Sequence, residues 1–288
     1  MKKRIGFIGQ GYIGKNYADD FEKRGYEVVR YSLEQAYVNN KSLIKDCYIV
    51  FVAVPTPTTP EGFDARMVKE ALGLIGEGKI GIIKSTILPG ATESLQKEFP
   101  RIYLMHSPEF LSRDTAAHDA AHPERNIIGI PLDNDEYRKK AEEVMAILPE
   151  AKFKSVCRAK EAEFIKYGGN SFFYFKNIFF NLFFDLVEAH GADWETVRQA
   201  IASDPRIGGE HTRAKDKGGR GAGGDCLIKD FRTMADIYEK IVKDKYGIEV
   251  LNSLQKKNIE LLAKSGKDLN LLNGVYGEVC VNEIISPK

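Results

Sequence analysis

The turn Gly9-Gln10-Gly11-Tyr12-Ile13-Gly14 is the feature that most restricts the fold of this chain. It follows an apolar strand predicted over residues 4–8 and opens a helix predicted over residues 12–24. In that context the glycines allow a tight turn and a close approach of the backbone, and the helix N-terminus attracts a pyrophosphate. The spacing therefore predicts a dinucleotide site formed by Gly9, Gly11, Tyr12, Ile13 and Gly14.

Apolar runs alternate with helical patterns through the first half of the chain. Further buried strands are predicted at residues 27–31, 48–54, 80–84, 102–106 and 126–130. Such alternation predicts an α/β fold, a Rossmann-like doubly wound parallel sheet with helices on both faces. Ligands bind such sheets at the carboxyl ends of the strands. The loops that begin at Gly9, Pro55, Ser85 and Ser107 are therefore expected to converge on one cleft.

The pattern changes after residue 157, where a long helix is predicted over residues 160–190. Further helices are predicted at 194–202, 230–244 and 248–264, so we expect a dinucleotide-binding domain over 1–157 and an all-α substrate and dimerisation domain over 158–288. The long helix is too apolar to face water on most sides, which predicts burial in a core or in a homodimer interface. Its phenylalanines are Phe172, Phe173, Phe175, Phe179, Phe180, Phe183 and Phe184.

Composition narrows the classes of partner. Lys and Arg number 42 against 41 Asp and Glu, so no strong net charge favours nucleic acid or an anionic membrane. The first residues run directly into a short strand, which is typical of neither a signal peptide nor a transmembrane segment. The four cysteines are far apart with no Cys-x-x-Cys pair, which argues against a zinc site or a disulfide framework. We expect a cytoplasmic protein without a bound metal.

The end of the second predicted strand bears on the choice of cofactor. Ser32 stands where an acid that binds the adenosine ribose is expected, and Glu34 follows two residues later. If Glu34 or backbone groups hold the ribose, the cofactor is NAD, which we favour. Arg30, beside the missing acid, could instead accept the 2′-phosphate of NADP.

Cys226 lies in the glycine-rich segment 218–230. A reactive thiol combined with a nicotinamide site suggests oxidation of a carbon held covalently on sulfur, which would carry an alcohol through an aldehyde to an acid. A buried, inert role suits Cys47 and Cys280. It suits Cys226 poorly, because the surrounding glycines have no side chains to pack around the thiol. They instead allow another molecule to approach the backbone.

Taken in order along the chain, these motifs resemble the UDP-glucose/GDP-mannose dehydrogenase family, whose members oxidise nucleotide sugars to uronic acids in two NAD-dependent steps. The matching segments are Val52-Ala53-Val54-Pro55-Thr56-Pro57, Lys84-Ser85-Thr86-Ile87-Leu88-Pro89-Gly90, Ser107-Pro108-Glu109-Phe110-Leu111, Pro123-Glu124-Arg125-Asn126-Ile127-Ile128-Gly129, Glu163-Phe164-Ile165-Lys166-Tyr167-Gly168-Gly169-Asn170, Asp204-Pro205-Arg206-Ile207-Gly208 and Gly221-Ala222-Gly223-Gly224-Asp225-Cys226-Leu227-Ile228-Lys229-Asp230.

The resemblance implies a role for each reactive residue. Cys226 would attack the aldehyde and carry a thiohemiacetal and then a thioester. Lys166 and Asn170, four residues apart on one helix face, would stabilise the oxyanion, at roughly 3 kcal/mol per donor. Glu109 would act as the general base that activates water. Thr86 would help to place that water.

The remaining implied residues orient or bind. Asp230, four residues after Cys226, would orient Lys166 or a water, although Lys229 and Asp230 could also simply begin a helix. Arg206 would reach the substrate across a dimer interface. The cofactor would also contact Ser32, Val54, Pro55, Thr56 and Thr86, and the substrate would contact Glu109, Phe110, Leu111, Lys166, Asn170, Arg206, Gly221, Gly223 and Gly224.

The sequence departs from the family pattern in three respects. Family members continue for about another hundred residues into a second nucleotide-binding-type domain, whereas this chain ends at Lys288, so a partner chain could supply what that domain provides. Ala222 replaces a phenylalanine, and an ionised Asp225 would disfavour a thiolate at Cys226. Ser107 replaces an asparagine. We expect altered substrate choice rather than lost chemistry.

Three functions remain open at this point. The first is a homodimeric, NAD-dependent nucleotide-sugar 6-dehydrogenase, with UDP-glucose as the default substrate and a UDP-N-acetylhexosamine or GDP-mannose as alternatives. The second is a two-electron hydroxyacid dehydrogenase of the 6-phosphogluconate type, which would have no use for Cys226. The third is a non-catalytic module that binds a nucleotide sugar or a dinucleotide. Retention of the whole reactive set favours the first.

Overall fold

The computed structural model describes residues 3–285 and divides them into two compact units. The first unit contains the described residues up to Thr56 together with Asp64–Lys166, and the second contains Pro57–Phe63 and the described residues from Tyr167 onward. The boundary thus falls at residue 166 rather than at the expected residue 157. The first turns of the long helix pack within the first unit, where Ala159 and Ala162 lie so close to Gly129 that a Cβ there would meet both at 2.7 Å.

Eleven strands are described, and seven of them form one sheet. The strands are β1 (Ile5–Ile8), β2 (Val28–Tyr31), β3 (Ile49–Val52), β4 (Thr58–Thr59), β5 (Gly62–Phe63), β6 (Ile80–Ile83), β7 (Tyr103–His106), β8 (Arg125–Ile130), β9 (Phe153–Arg158), β10 (Lys215–Asp216) and β11 (Gly219–Arg220). The sheet order is β2-β1-β3-β6-β7-β8-β9. All its pairs are parallel except β7 with β8. The predicted Rossmann-like sheet is confirmed, with one antiparallel step.

The described helices cover the sheet and make up most of the second unit. They are α1 (Tyr12–Lys23), α2 (Arg66–Leu72), α3 (Ala91–Glu98), α4 (Ala116–Ala121), α5 (Asp135–Met145), α6 (Ala159–Ala189), α7 (Trp194–Ala202), α8 (Asp225–Ile241), α9 (Lys245–Ser265), α10 (Leu269–Tyr276) and α11 (Glu278–Ile285), with a 3₁₀ helix over Val38–Asp46. Within residues 3–285, no helix combines the length and the apolar character needed to cross a bilayer.

The strands of the first unit are apolar along their whole length because the sheet is covered on both faces. Phe7 of β1 stacks on Phe51 of β3 with ring centroids 5.0 Å apart, and Phe21 of α1 meets Phe7 edge-on at 5.4 Å. Strand β9 was not predicted because it is an edge strand without a continuous apolar run, and its Phe153 is 56% exposed.

The second unit packs its helices around aromatic side chains. Tyr174 of α6 stacks on Phe231 of α8 with centroids 3.9 Å apart, and Phe180 of α6 meets Trp194 of α7 at 6.3 Å. The short hairpin β4–β5 belongs to this unit, because the hydroxyls of Thr58 and Thr233 are hydrogen-bonded at 2.8 Å.

Helix α8 begins five residues earlier than predicted. Gly224 has φ 84°, a conformation that glycine adopts without strain, and it is the N-cap residue of the helix. Asp225 follows as the first helical residue, where its negative charge is favourable. The early start places Cys226 on the helix rather than in the glycine-rich loop, and it places Asp230 inside the helix rather than at its beginning.

Candidate active site

The fingerprint turn connects β1 to α1 and has the geometry that a dinucleotide needs. Gly9 has φ +90°, and a Cβ there would stand 2.3 Å from the carbonyl oxygen of Ala53. A Cβ on Gly14 would stand 1.9 Å from the carbonyl oxygen of Gly9, so both glycines are required by close packing. A Cβ on Gly11 would meet nothing within 4 Å, which leaves open space at the N-terminus of α1.

The other loops predicted to bind the cofactor follow neighbouring strands of the first unit. Val54 is half-buried, Pro55 exposed and Thr56 buried, directly after β3. The Ser85 hydroxyl donates to the carbonyl oxygen of Val54 at 2.6 Å, which joins the loop after β6 to the loop after β3. Thr86 is half-buried beside it. These loops share one edge of the sheet, as the parallel strands require.

The carboxyl end of β2 presents no acid at residue 32. Ser32 is half-buried, and its hydroxyl accepts a hydrogen bond from the Glu34 backbone N–H at 3.3 Å. Arg30 is held by α1, because its guanidinium pairs with Asp19 and with Glu22, each at 2.7 Å. The guanidinium that could have bound a 2′-phosphate is therefore already occupied by carboxylates.

A buried ion pair joins two of the predicted catalytic residues. Lys166 Nζ lies 2.8 Å from Glu109 Oε1 and also donates to the Glu109 carbonyl oxygen at 2.8 Å. Both side chains are buried, so each charge depends on the other. The other carboxylate oxygen of Glu109 accepts from the Leu111 backbone N–H at 2.8 Å, which fixes the turn after β7.

Phe110, which follows Glu109 in the chain, is half-buried, and two positively charged groups lie near its ring. The Arg125 guanidinium carbon stands 3.7 Å from the ring centroid, and Lys166 Nζ stands 5.8 Å from it. Burial lowers the pKa of Arg125. Two positive groups therefore lie near the ring of the residue that follows Glu109.

The loop after β6 is fixed by Glu163, a residue the sequence analysis did not single out. Its buried carboxylate accepts from the backbone N–H groups of Gly90 at 2.5 Å and Thr92 at 2.9 Å, and from the Thr92 hydroxyl at 2.6 Å. Burial raises the pKa of Glu163 despite these bonds. Glu163 thus caps α3 and ties the segment that carries Thr86 to the start of α6.

In the second unit, Cys226 is half-buried in the first turn of α8. The positive end of a helix favours a thiolate at this position and opposes the effect of the neighbouring Asp225 carboxylate. The other thiols are less suitable: burial raises the pKa of Cys47 to about 11, and burial raises that of Cys157 to about 11. All four cysteines lie within the described residues, and none forms a disulfide.

Asp230 and Asn170 form a second polar cluster in this unit. The Asn170 amide donates to Asp230 Oδ2 at 2.5 Å, and Lys229 Nζ donates to Asp230 Oδ1 at 2.5 Å. Asp230 is 1% exposed and therefore buried together with its partners. Asp230 thus orients Asn170, while Lys166 pairs with the carboxylate of Glu109 in the first unit.

The glycines predicted to approach the substrate are packed against their own unit. The Ala222 N–H donates to Asn258 Oδ1 at 2.7 Å, and the Gly224 N–H donates to Asp268 Oδ2 at 2.8 Å. A Cβ on Gly223 would stand 2.2 Å from Asp268 Oδ2, and one on Gly221 would stand 2.8 Å from Asn258 Oδ1. Contacts with α9 and the start of α10 therefore explain why residues 221 and 223 are glycine, whereas at Gly224 the positive φ explains it. The N–H groups of Ala222 and Gly224 are already hydrogen-bonded within the unit.

Arg206 lies on an exposed surface loop and pairs with Asp204 at 2.6 Å. The loop is tied to α6, because Lys176 Nζ donates to the carbonyl oxygens of Ile207 at 2.7 Å and Gly208 at 3.2 Å. Neither Lys176 nor Asn258 could have been identified from local patterns, since their partners are distant in sequence.

The sheet and the fingerprint turn define the class, a Rossmann-like dinucleotide-binding protein. Comparison with known proteins gives the family. Residues 33–148 match the NAD binding domain of the UDP-glucose/GDP-mannose dehydrogenase family, and residues 160–259 match its central domain. Together the two segments cover well over half of the chain, which therefore belongs to this family.

Relatives and solved structures agree with that assignment. A UDP-glucose 6-dehydrogenase of Rickettsia prowazekii is 30% identical over 251 residues, which are 83% of this chain and 55% of the relative. The chain thus spans about half the length of that relative. The structure of a UDP-glucose dehydrogenase from Pyrobaculum islandicum superposes with a TM-score of 0.75 at 24% identity, covering 89% of this chain and 68% of that one.

The fold is shared beyond nucleotide-sugar dehydrogenases. A 3-hydroxyisobutyrate dehydrogenase from Mycobacterium tuberculosis superposes with a TM-score of 0.69 at 14% identity, covering 96% of this chain and 99% of that one. The likeness to both solved structures is a likeness of fold. The function has to be argued from the site residues.

Proposed function

We propose that this protein is an NAD-dependent nucleotide-sugar dehydrogenase, which oxidises the primary alcohol of a nucleotide sugar to the acid, with UDP-glucose as the first substrate to test. The observation that carries the proposal is the position of Cys226 on the first turn of α8, in the unit that also holds the hydrogen-bonded pair of Asn170 and Asp230. A two-electron alcohol dehydrogenase has no need for such a thiol.

Cys226 is the nucleophile of the proposed reaction. After the alcohol has been oxidised to the aldehyde, the sulfur of Cys226 forms a bond to the aldehyde carbon and gives a thiohemiacetal. The second oxidation converts this to a thioester, and water then breaks the carbon–sulfur bond, releasing the acid and restoring the thiol. The positive end of α8 favours the thiolate needed for the attack.

Lys166 and Asn170 are the proposed donors to the oxyanion. Each is oriented by a carboxylate: Lys166 by Glu109, and Asn170 by Asp230. Donors held in this way need little reorganisation when negative charge develops on the substrate oxygen. The arrangement favours the addition of sulfur to the aldehyde and of water to the thioester.

Glu109 is the proposed base for the hydrolytic step, with Thr86 placing the water. Its carboxylate is held by Lys166 and by the Leu111 N–H, and it can receive a proton as water attacks. Thr86 lies four residues before Gly90, on the segment whose far end Glu163 holds by its backbone.

The residues of the fingerprint fit a dinucleotide. The space at Gly11 and the N-terminus of α1 would hold the pyrophosphate, and Val54, Pro55, Thr56 and Thr86 would line the same edge of the sheet. Bound NAD supplies the hydride acceptor for each of the two oxidations. The pairing of Arg30 with Asp19 and Glu22 supports NAD over NADP, and Ser32 leaves the ribose to other groups.

The proposed assembly is a homodimer formed by α6. One face of the helix carries apolar side chains spaced alternately three and four residues apart, the spacing at which two helices pack side by side. About half of each side chain is exposed: Phe172 61%, Phe175 48%, Phe179 50%, Leu182 48% and Leu186 52%. The stripe shares Leu182 with a groove of about 520 Å³ between α6 and α9, whose lining is mostly apolar but also includes Glu249, Ser253 and Lys257. A second copy of the stripe is the partner that such a surface fits.

The test is turnover of UDP-glucose with NAD, followed at the absorbance of the reduced nicotinamide. We expect two reduced cofactors per sugar for the wild-type protein. Cys226→Ser should stop before the acid, while Cys157→Ser, the matched control in another half-buried cysteine, should behave as wild type.

The other outcomes distinguish the remaining functions. One reduced cofactor per substrate, unaffected by Cys226→Ser, would replace the proposal with a two-electron dehydrogenase. Binding without turnover, with every UDP- and GDP-sugar and with both NAD and NADP, would indicate a non-catalytic module.

A further inference from the structure

Lys84 is a buried lysine that the proposed mechanism does not use. It follows β6 directly, and β6 pairs in parallel with β7 so that Ile83 lies opposite His106. The next residues, Lys84 and Ser107, are consequently neighbours, and Lys84 Nζ donates to the Ser107 hydroxyl at 3.1 Å. The Lys84 side chain is 4% exposed.

The surroundings of this ammonium group are poor in hydrogen-bond acceptors. An ammonium has three donors, and among the described residues the Ser107 hydroxyl is its one hydrogen-bond partner. Nζ also stands 4.4 Å from the ring centroid of Tyr17 on α1. Burying a charge in this way is costly, so a side chain that merely filled space here would be better apolar.

The ionisable groups around Lys84 are those of the proposed site. Tyr17 faces it from α1, His106 and Glu109 lie at and beyond the end of β7, and Lys166 comes from α6. Burial lowers the pKa of Lys84 to about 8; the negative charge of Glu109 opposes this shift and the positive charge of Lys166 adds to it. Burial, with a smaller effect of Lys84, lowers the pKa of His106 to about 3, so that ring is neutral.

The protonation state of Lys84 therefore sets the total charge of three side chains, those of Lys84, Lys166 and Glu109. With Lys84 protonated, two cations stand against the single carboxylate of Glu109, which leaves one net positive charge. When Lys84 loses its proton, Lys166 and Glu109 neutralise each other. The change occurs beside the two residues that the proposed function uses as oxyanion donor and base.

We propose that Lys84 is a positioning residue of the reaction: it holds Ser107, and it supplies a second positive charge beside the Glu109–Lys166 ion pair that favours negative charge on the substrate oxygen. The inference rests on the proposed function and deepens it. It also gives Ser107, which stands where the family has asparagine, a defined partner.

The first test is the pH profile of kcat with Lys84→Met, which keeps an unbranched side chain one atom shorter and removes its charge. In the wild-type protein kcat should fall as the pH rises through about 8, where Lys84 loses its proton. Lys84→Met should lower kcat about tenfold at neutral pH, with a smaller change in KM, and should remove this alkaline decrease. An unchanged profile in Lys84→Met would overturn the proposal.

Two further variants separate charge from structure. Ser107→Ala removes the hydrogen bond but leaves the ammonium, so the alkaline decrease should persist. Lys84→Gln, which keeps a donor for Ser107, serves if Lys84→Met does not fold. A merely structural lysine would give a lower Tm when it is removed, whereas we expect Lys84→Met to have a higher Tm than the wild type together with its lower activity.

Titration of the lysine Cε resonances by NMR measures the pKa of Lys84 without relying on turnover. A resonance that titrates near pH 8, is absent in Lys84→Met and titrates at lower pH in Glu109→Gln would support the charge beside the ion pair. If every lysine titrates near its ordinary value, the inference fails. If this resonance is present but no nucleotide sugar is oxidised, it is the proposed function that fails.

Discussion

Arg30 lies on β2 with its guanidinium held by acidic side chains of α1. Its pairs with Asp19 and Glu22 leave the side chain 10% exposed, so binding a 2′-phosphate would first require breaking them. The position of Arg30 along the chain suggested NADP. Its partners in the structure support NAD instead.

We expect the ratio of kcat/KM for NAD to that for NADP to exceed about tenfold in the wild-type protein. Removing both acids, as Asp19→Asn with Glu22→Gln, should free the guanidinium and lower that ratio. Glu27→Gln, which removes an exposed acid paired with Arg4, is the control and should leave the ratio unchanged. An equal ratio in all three proteins would show that Arg30 has no part in cofactor choice.

Lys84 should make the stability of the protein depend on pH in the alkaline range. Its pKa is lowered from 10.5 to about 8, so the folded protein binds this proton less tightly than the unfolded chain. The resulting cost, about 3 kcal/mol, is fully present below pH 8 and is relieved as the pH rises toward 10.5.

The comparison is between wild type and Lys84→Met, by urea unfolding at a series of pH values. The free energy of unfolding of the wild type should rise relative to that of the variant between pH 8 and 10.5. Parallel curves across that range would mean that Lys84 titrates at its ordinary pKa.

Among the elements, α3 depends on a residue outside its own segment. Glu163 of α6 caps it with three hydrogen bonds, and no side chain of α3 caps its own N-terminus. Glu163→Gln retains one acceptor oxygen and places an amide donor against backbone N–H groups.

We expect Glu163→Gln to lower the free energy of unfolding by about 2 kcal/mol. Glu188→Gln, on an exposed part of the same helix, should change it by less than about 0.5 kcal/mol. Urea unfolding of both variants gives the comparison, and hydrogen exchange should show faster exchange at Gly90 and Thr92 in the first alone. Equal stability of the two variants would remove Glu163 as the cap of α3.

The loop before α8 offers a second test at this scale. A Cβ on Gly223 would collide with the Asp268 carboxylate, which also holds the Gly224 N–H. Gly223→Ala should therefore cost about 1–3 kcal/mol of stability, whereas Gly209→Ala, with open space around its Cβ, should be tolerated. Thermal unfolding measures both, and a neutral Gly223→Ala would mean that the loop is loose enough to give way.

The elements also show how far the sequence can be interpreted. The fingerprint and the apolar strands were predictable because their signals are local: glycine spacing and continuous apolar runs. The N-terminus of α8 was not, because the glycines before it were attributed to ligand contact. Their actual neighbours, Asn258 and Asp268, lie 36 and 44 residues from the backbone groups that they hold.

The same limit applies to the candidate site. The residue types at 109, 166, 170, 226 and 230 could be identified, but not the pairing of Lys166 with Glu109 or of Asn170 with Asp230. Lys84 was placed at the end of a predicted strand and in a segment that resembles the family, but its burial and its neighbours could not be predicted, since they arise from the register of β6 and β7.

For the whole molecule, the apolar stripe on α6 predicts the assembly. Phe179→Glu places a charge at its centre and should convert a dimer into a monomer without unfolding the chain, because the side chain is half-exposed in one subunit. Val279→Glu, at an exposed apolar residue of α11, is the control and should remain dimeric. Sedimentation velocity distinguishes the two, and a wild-type monomer at micromolar concentration would refute the dimer.

Lys176 connects the helix that carries the apolar stripe to the loop that carries Arg206. It lies between Phe175 and Phe179 on α6, and its ammonium holds the carbonyl oxygens of Ile207 and Gly208, next to Arg206. The helix that would join two subunits thus also anchors the loop whose arginine is expected to serve the neighbouring subunit. With the proposed dimer and the expected role of Arg206, substrate affinity should vary with protein concentration and fall when the protein is diluted.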